Sequence, residues 1–197
     1  MLTLFSPVTN KVYRALMKIN VSSDTIEEAK NNYSYGTLCL SDGVIAMSND
    51  SLEKCTFESY NLAYEENFVN FIRLVYEKNN DNAVLVETKI NELDNVLLLR
   101  IITILDYRDK LLFLDMIKNS SKSAFVTRDV RILELLIRLA TRELLFSTFH
   151  FLTCNVAICC QPNLCFPVFI NEFSGFETYL ELASESNLDL CNLHIKN

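Results

Sequence analysis

The sequence predicts an α+β protein: a small sheet from the N-terminal half with helices packed on it, a helical centre and a mixed C-terminal extension. Three observations point there. Short β-prone runs flank Ser41-Asp42-Gly43, and Asp-Gly between apolar runs is a strong hairpin signal because Gly accepts φ > 0 without steric cost. Apolar residues recur with helical period through much of 65–145. Beyond 145 the composition turns β-prone again.

Taken in order, residues 1–35 form a leader. Val12 to Ile19 suits a short helix, and Ser22-Ser23-Asp24 resembles an N-cap followed by Glu27 and Glu28, whose charges favour the positive end of a helix. Asn31 to Gly36 breaks that pattern. Residues 37–48 carry the expected hairpin, 51–54 a short helix, and Cys55 to Ala63 a further β-prone stretch. Glu65 to Lys78 is a helix, with Phe68, Phe71, Ile72, Val75 and Tyr76 at i, i+3, i+4, i+7 and i+8. Asn79-Asn80-Asp81-Asn82 stops it, and Ala83 to Val86 is a short strand. Two helices follow, at Leu93–Ile104 and Asp106–Ser120. Thr127 caps a third, running through Leu145. Residues 146–170 are β-prone, and Phe176 to Ala183 is a short amphipathic helix. This divides the chain into a leader (1–35), a core (36–125) and an extension (126–197), with a single domain spanning core and extension as the alternative.

Half of the 197 residues are hydrophobic and 22% are charged, which excludes a disordered chain. Three Gly and three Pro exclude collagen-like and polyproline architectures. The net charge of −7 disfavours generic nucleic-acid binding. Charge is uneven, since residues 98–142 hold nine Lys/Arg against five Asp/Glu, and such asymmetry can steer a charged partner.

The N-terminus lacks the basic region and long apolar stretch of a signal peptide. Seven cysteines, an odd number, then read as free thiols in a reducing compartment, and the expected location is intracellular, cytoplasmic or nuclear. Leu144 to Asn171 contains no Asp, Glu, Lys or Arg. A membrane-associated segment at 144–160 is therefore an alternative. The interrupting Gln161-Pro162-Asn163, Pro167 and several polar residues favour a buried core segment.

No nucleophile–base motif, phosphate loop or dinucleotide fingerprint occurs. Of the two histidines, His150 sits in the apolar run as a core residue and His194 lies near the C-terminus. Cys154, Cys159, Cys160 and Cys165 are weak metal candidates: four thiolates can close a tetrahedral zinc site, but their spacing departs from the usual paired knuckles, and adjacent Cys159 and Cys160 would face opposite ways on a strand. No metal or other cofactor is expected. Arg128, Arg131, Arg138 and Arg142 lie near one side of the third helix. A solvated face, with Glu134–Arg138 as an i,i+4 pair, is a simpler account of them than a phosphate stripe.

Residues 37–122 resemble the BTB/POZ fold of the Skp adaptor and elongin C. The resemblance rests on the strand, Ser41-Asp42-Gly43, second strand, long helix at 65–78 and the helices that follow. Leu105-Asp106 matches the Leu-Asp of that family's Asn-(Tyr/Phe)-Leu-Asp motif, with Ile104 where the family has an aromatic residue. Residues 93–122 also resemble an F-box: Leu98-Leu99-Arg100-Ile101 and Leu105-Asp106-Tyr107-Arg108-Asp109 follow its pattern, with Asp94 in place of its Pro and no Trp.

Both resemblances imply a non-enzymatic protein–protein interaction adaptor, similar to a subunit of a cullin-type ubiquitin ligase. The partner would be a cullin, a Skp adaptor or a substrate receptor. They imply binding residues Leu97, Arg100, Ile101, Leu105, Asp106, Tyr107, Arg108 and Leu112, with Leu97, Ile101, Leu105 and Leu112 as apolar anchors and the charged side chains as a rim. The main alternative is a viral or pathogen effector that sequesters a host protein.

Overall fold

Every residue of Ser147–Phe151, Val156–Cys159 and Phe166–Ile170 is buried. Strands covered on both faces need no alternation of polar and apolar residues, which is why this stretch carries no charged side chain. The computed structural model describes residues 5–22, 24–40, 57–119, 122–171 and 175–196. Among them an eight-stranded sheet is formed by β1 (Phe5–Pro7), β2 (Ser34–Leu40), β3 (Val84–Thr88), β4 (Ala124–Thr127), β5 (Ser147–Phe151), β6 (Val156–Cys159), β7 (Phe166–Ile170) and β8 (Leu188–His194). Its order is β1-β4-β3-β5-β6-β7-β2-β8, and every neighbouring pair is antiparallel.

The α+β class is therefore observed. The sheet, however, is neither small nor N-terminal. β1 and the first two residues of β2 come from the leader, the rest of β2 and β3 from the core, β4 straddles the boundary with the extension, and β5 to β8 come from the extension. Residues 144–160 hold two sheet strands instead of a membrane segment, and no helix among the described residues is long and apolar enough to cross a membrane.

The helices are α1 (Asn10–Leu16), α2 (Ile26–Asn32), α3 (Phe57–Lys78), α4 (Asn95–Ile104), α5 (Tyr107–Asn119), α6 (Val130–Thr141) and α7 (Phe176–Glu185). One face of the sheet presents Leu38, Val84, Val86, Phe149, Ile158, Phe166 and Val168 to a core shared with α3 to α7. The opposite face presents Ala157, Cys159 and Phe169 to Ile26 and Ala29 of α2, and Leu85 and Ala124 to Tyr13 of α1. The two periods meet here: alternate strand residues face opposite layers.

α3 extends N-terminally beyond Glu65, so residues 57–63, expected as β-prone, are helical. The helical stripe continues backward through Tyr64 and Asn61, four and seven residues before Phe68. Asn61 is buried and its Nδ2 donates to the Thr141 carbonyl at 2.7 Å. Packing of this stripe on α6 overrides the local β preference of the aromatic residues. The helix stops at the predicted place, where Asn80 and Asp81 adopt φ of 55° and 53°, a left-handed geometry that Asn and Asp tolerate.

The third predicted helix is shorter than expected. Thr127 ends β4, a strand absent from the sequence reading, and its Oγ1 accepts from the Asp129 N–H. Asp129 is the actual cap, accepting from the Arg131 N–H at 3.0 Å. At the other end Glu143 turns left-handed, so Leu144 and Leu145 leave the helix to enter β5. The cap expected at Ser22 to Asp24 falls to Thr25, whose hydroxyl accepts from the Ser22 N–H. The second half of the expected hairpin and the helix at 51–54 lie outside the described residues.

Candidate protein-interaction surface

α4 has the sequence NVLLLRIITI, with only Asn95, Arg100 and Thr103 polar. A helix that is apolar nearly all round is normally enclosed on all sides. Here one stripe is enclosed: Ile101 and Leu105 are in the core, and Leu97, Leu98 and Ile102 pack against it. The other stripe is not. Val96 is 78% exposed, Leu99 65% and Ile104 42%. α5 repeats the arrangement, with Phe113 and Met116 fully buried while Tyr107 is 74% exposed and Leu111 and Leu114 face outward.

Capping side chains start both helices. Asp94 caps α4 by accepting from the Leu97 N–H at 2.7 Å. Asp106 caps α5, accepting from the Asp109 N–H at 2.9 Å, and that backbone hydrogen bond holds its carboxyl below the ordinary range. Leu105, between them, is drawn into the core.

Beside α5 runs a groove of about 1020 Å3, shared with α6. Leu111, Leu112 and Ile104 give it an apolar side, and Arg108, Asp109, Glu134 and Arg138 a charged one. Arg138 reaches Asp109 at 3.5 Å and Glu134 at 3.9 Å. Burial pushes the Asp109 carboxyl up, with Arg138 opposing that shift. Arg142 forms two 2.7 Å hydrogen bonds with Glu65 of α3, and those bonds hold its guanidinium more firmly charged than usual. Arg131 is tied to Asp129. Three of the four arginines noted in the sequence therefore have acidic partners, but only Arg131 lies on a solvated face: Arg138 and Arg142 are half-buried in pairs that reach neighbouring helices.

The binding residues implied by the resemblance separate by depth. Arg100, Asp106, Tyr107 and Arg108 are exposed, Leu97 and Leu112 are half-buried, and Ile101 and Leu105 are core residues. Sequence reasoning chose the stripe Leu97, Ile101 and Leu105, which faces inward. It passed over Val96, Leu99, Ile104, Leu111 and Leu114. A second apolar stripe at i, i+3 and i+8 on the same helix was the signal available.

Cys159 and Cys160 point into opposite layers, Cys159 toward α2 and Cys160 toward the main core. Burial pushes the Cys159 thiol up to about 12 and raises the Cys160, Cys154 and Cys165 thiols as well. Thiols so shifted are poor nucleophiles. Among the described residues no three His, Cys, Asp or Glu side chains come together in a way that could hold a metal ion. Cys39 and Cys191 are joined in a disulfide between β2 and β8, with Cα atoms 6.3 Å apart, which corrects the free-thiol reading for these two, while Cys154, Cys159, Cys160 and Cys165 are free thiols.

A separate polar cluster lies under α1. Tyr13 Oη donates to Glu87 Oε2 at 3.1 Å and lies 3.1 Å from His150 Nε2. With its one proton given to Glu87, the phenol oxygen accepts from an Nε2–H, which leaves Nδ1 as the unprotonated ring nitrogen. Nδ1 is buried with no hydrogen-bond partner among the described residues, and burial pushes the imidazole down to about 4. This cluster fastens α1 to the sheet.

Neither a family model, nor a curated protein, nor a solved structure matches this chain.

Proposed function

We propose that the protein is a non-enzymatic interaction adaptor that binds a protein partner through the outward stripe of α4 and α5. One observation carries the reading. Six of the twelve exposed large hydrophobic side chains among the described residues fall between Val96 and Leu114. Large apolar groups gathered on adjoining helices favour a site of association, whereas scattered ones need no explanation. Tyr107 supplies an aromatic anchor of the kind that dominates interface energetics, and Arg100 and Arg108 a polar rim. The partner class implied by the resemblance to Skp-type adaptors and F-box segments is a subunit of a cullin-type ubiquitin ligase.

The test uses surface variants that spare the core. Val96→Glu and Leu99→Glu alter exposed positions, whereas a change at Leu105 would open the core and confuse binding with folding. The intact protein is expected to retain a cullin or Skp-type subunit from eukaryotic lysate. The double variant, folded by circular dichroism, should retain about tenfold less, equivalent to about 1.4 kcal/mol. Equal retention by both forms would move the interface elsewhere. Absence of any ligase subunit would remove the ligase assignment, and capture of a different single protein through the same stripe would favour an effector that sequesters it.

A further inference from the structure

A second concavity, distinct from the α4–α5 stripe and independent of the adaptor reading, opens where β3 ends and β5 begins. Its volume is about 660 Å3, within the range of small-molecule sites. Leu93, Leu97, Leu144, Leu145 and Phe146 give it apolar walls. Its charged residues are one-sided: Asp24, Glu87, Glu92, Asp94 and Glu143 against Lys89 alone. Four of these five carboxylates have partners, since Asp24 pairs with Lys89, Asp94 caps α4, Glu143 accepts from the Asn163 N–H and Glu87 accepts from Tyr13. An acidic rim alone would therefore say little.

The floor of the cleft adds an independent observation. Thr88 and Ser147 are opposite one another in the β3–β5 register and both line the cleft. They are 1% and 3% exposed, and neither hydroxyl has a hydrogen-bond partner among the described residues. A buried hydroxyl left unpaired forfeits the hydrogen bonds it made to water, so two side by side are uncommon in a core. Each can accept from or donate to a group seated between them.

We propose that this cleft binds a small organic amine, with its apolar body against Leu97 and Phe146, its ammonium held by the acidic rim, and its N–H groups within reach of the Thr88 and Ser147 hydroxyls. Apolar walls exclude a bare hydrated ion as the best occupant, and the negative rim excludes an anion. An ammonium satisfies both features because it donates hydrogen bonds and carries the complementary charge.

The probe is hexylamine, titrated calorimetrically into the full chain, with hexanol and hexanoate as ligands of the same apolar length lacking the positive charge. Saturable binding of hexylamine is expected, with hexanol and hexanoate at least about tenfold weaker, or about 1.4 kcal/mol. Glu92→Gln changes an exposed rim residue outside the core, and it should weaken hexylamine severalfold. Ser147→Ala should weaken it too, while leaving the melting temperature of the free protein unchanged or raised. No saturable binding, equal affinity for hexanol, or insensitivity to both variants would overturn the proposal. So would displacement of hexylamine by millimolar Ca2+, which would make the rim a cation site without amine preference.

Discussion

His150 is 2% exposed, and its ring is held on one side only, by Tyr13. Adding a proton at Nδ1 would bury a charged N–H with nothing in the described structure to accept from it. The folded imidazole is accordingly pushed down to about 4 from the ordinary 6.5, by burial. In an unfolded chain the same ring takes a proton below about 6.5. Between those values the unfolded state binds more protons, so stability is complete above about 6.5 and is lost as pH falls toward 4. The loss amounts to about 3 kcal/mol. Glu87 acts in the opposite sense: burial raises its carboxyl, so its protonation in acid relieves part of the strain. Urea unfolding at pH 7 and pH 5 should show the intact protein weakened in acid, and His150→Gln should flatten that difference. An unchanged difference in the variant would assign the acid sensitivity to other groups. The burial of His150 was legible in the sequence from its apolar surroundings. Its partner was not, because Tyr13 is 137 residues away.

At the scale of elements, α3 and α6 form the spine of the helical layer. Phe68 and Phe166 meet at 4.9 Å between ring centroids, linking α3 to the central sheet. At the end of the pair, Glu65 receives both hydrogen bonds of Arg142, and the Thr141 hydroxyl donates to it at 3.0 Å. The carboxylate thus collects three donors from the last turn of α6 and its cap, and the Arg142 charge it holds lies at the negative end of that helix. Glu65→Ala strands a guanidinium that is 19% exposed. Loss of hydrogen bonds to a charged group predicts a destabilisation of about 2 kcal/mol, measurable as a lower urea midpoint with unchanged slope. A midpoint within error of the intact protein would mean that water replaces the carboxylate freely. The stripe of α3 was readable from its spacing. Its additional N-terminal turns were not, because Asn61 is polar and is buried only by virtue of the Thr141 carbonyl it meets.

Across the whole molecule the sheet joins distant parts of the chain. β2 lies between β7 and β8, so the edge strand near the C-terminus pairs with one that begins at Ser34. Gly36 permits that closeness: a Cβ there would lie 2.5 Å from Leu190 Cγ. Cys39–Cys191 fastens the same pair across a separation of 152 residues. Closing so long a loop restricts the unfolded chain and contributes about 2–5 kcal/mol. Non-reducing mass spectrometry after alkylation of the native protein should leave Cys39 and Cys191 unmodified, and reductant should lower the urea midpoint. Alkylation of both without reductant would show that the strands hold together without the bond. Disulfides persist where thiol reductants are scarce, so the bond runs against the reducing compartment inferred from the odd cysteine count.

What the sequence determined by itself was local. The stripe at 65–78, the Asn-rich stop, the helices near 93–104, 106–119 and 176–183, and the β-prone character of 146–170 all follow from spacing and turn chemistry within a few residues. Tertiary structure alone decided which strands are neighbours, that the charge-free run is the doubly covered centre of a sheet, and which stripe of α4 stays outside. The reason is physical. A stripe of Leu and Ile states that a face is apolar, but not what will cover it, and on α4 two such stripes compete for one core. Only the layer already formed by α3, α6 and the sheet selects Ile101 and Leu105 for burial and leaves Val96 and Leu99 to water.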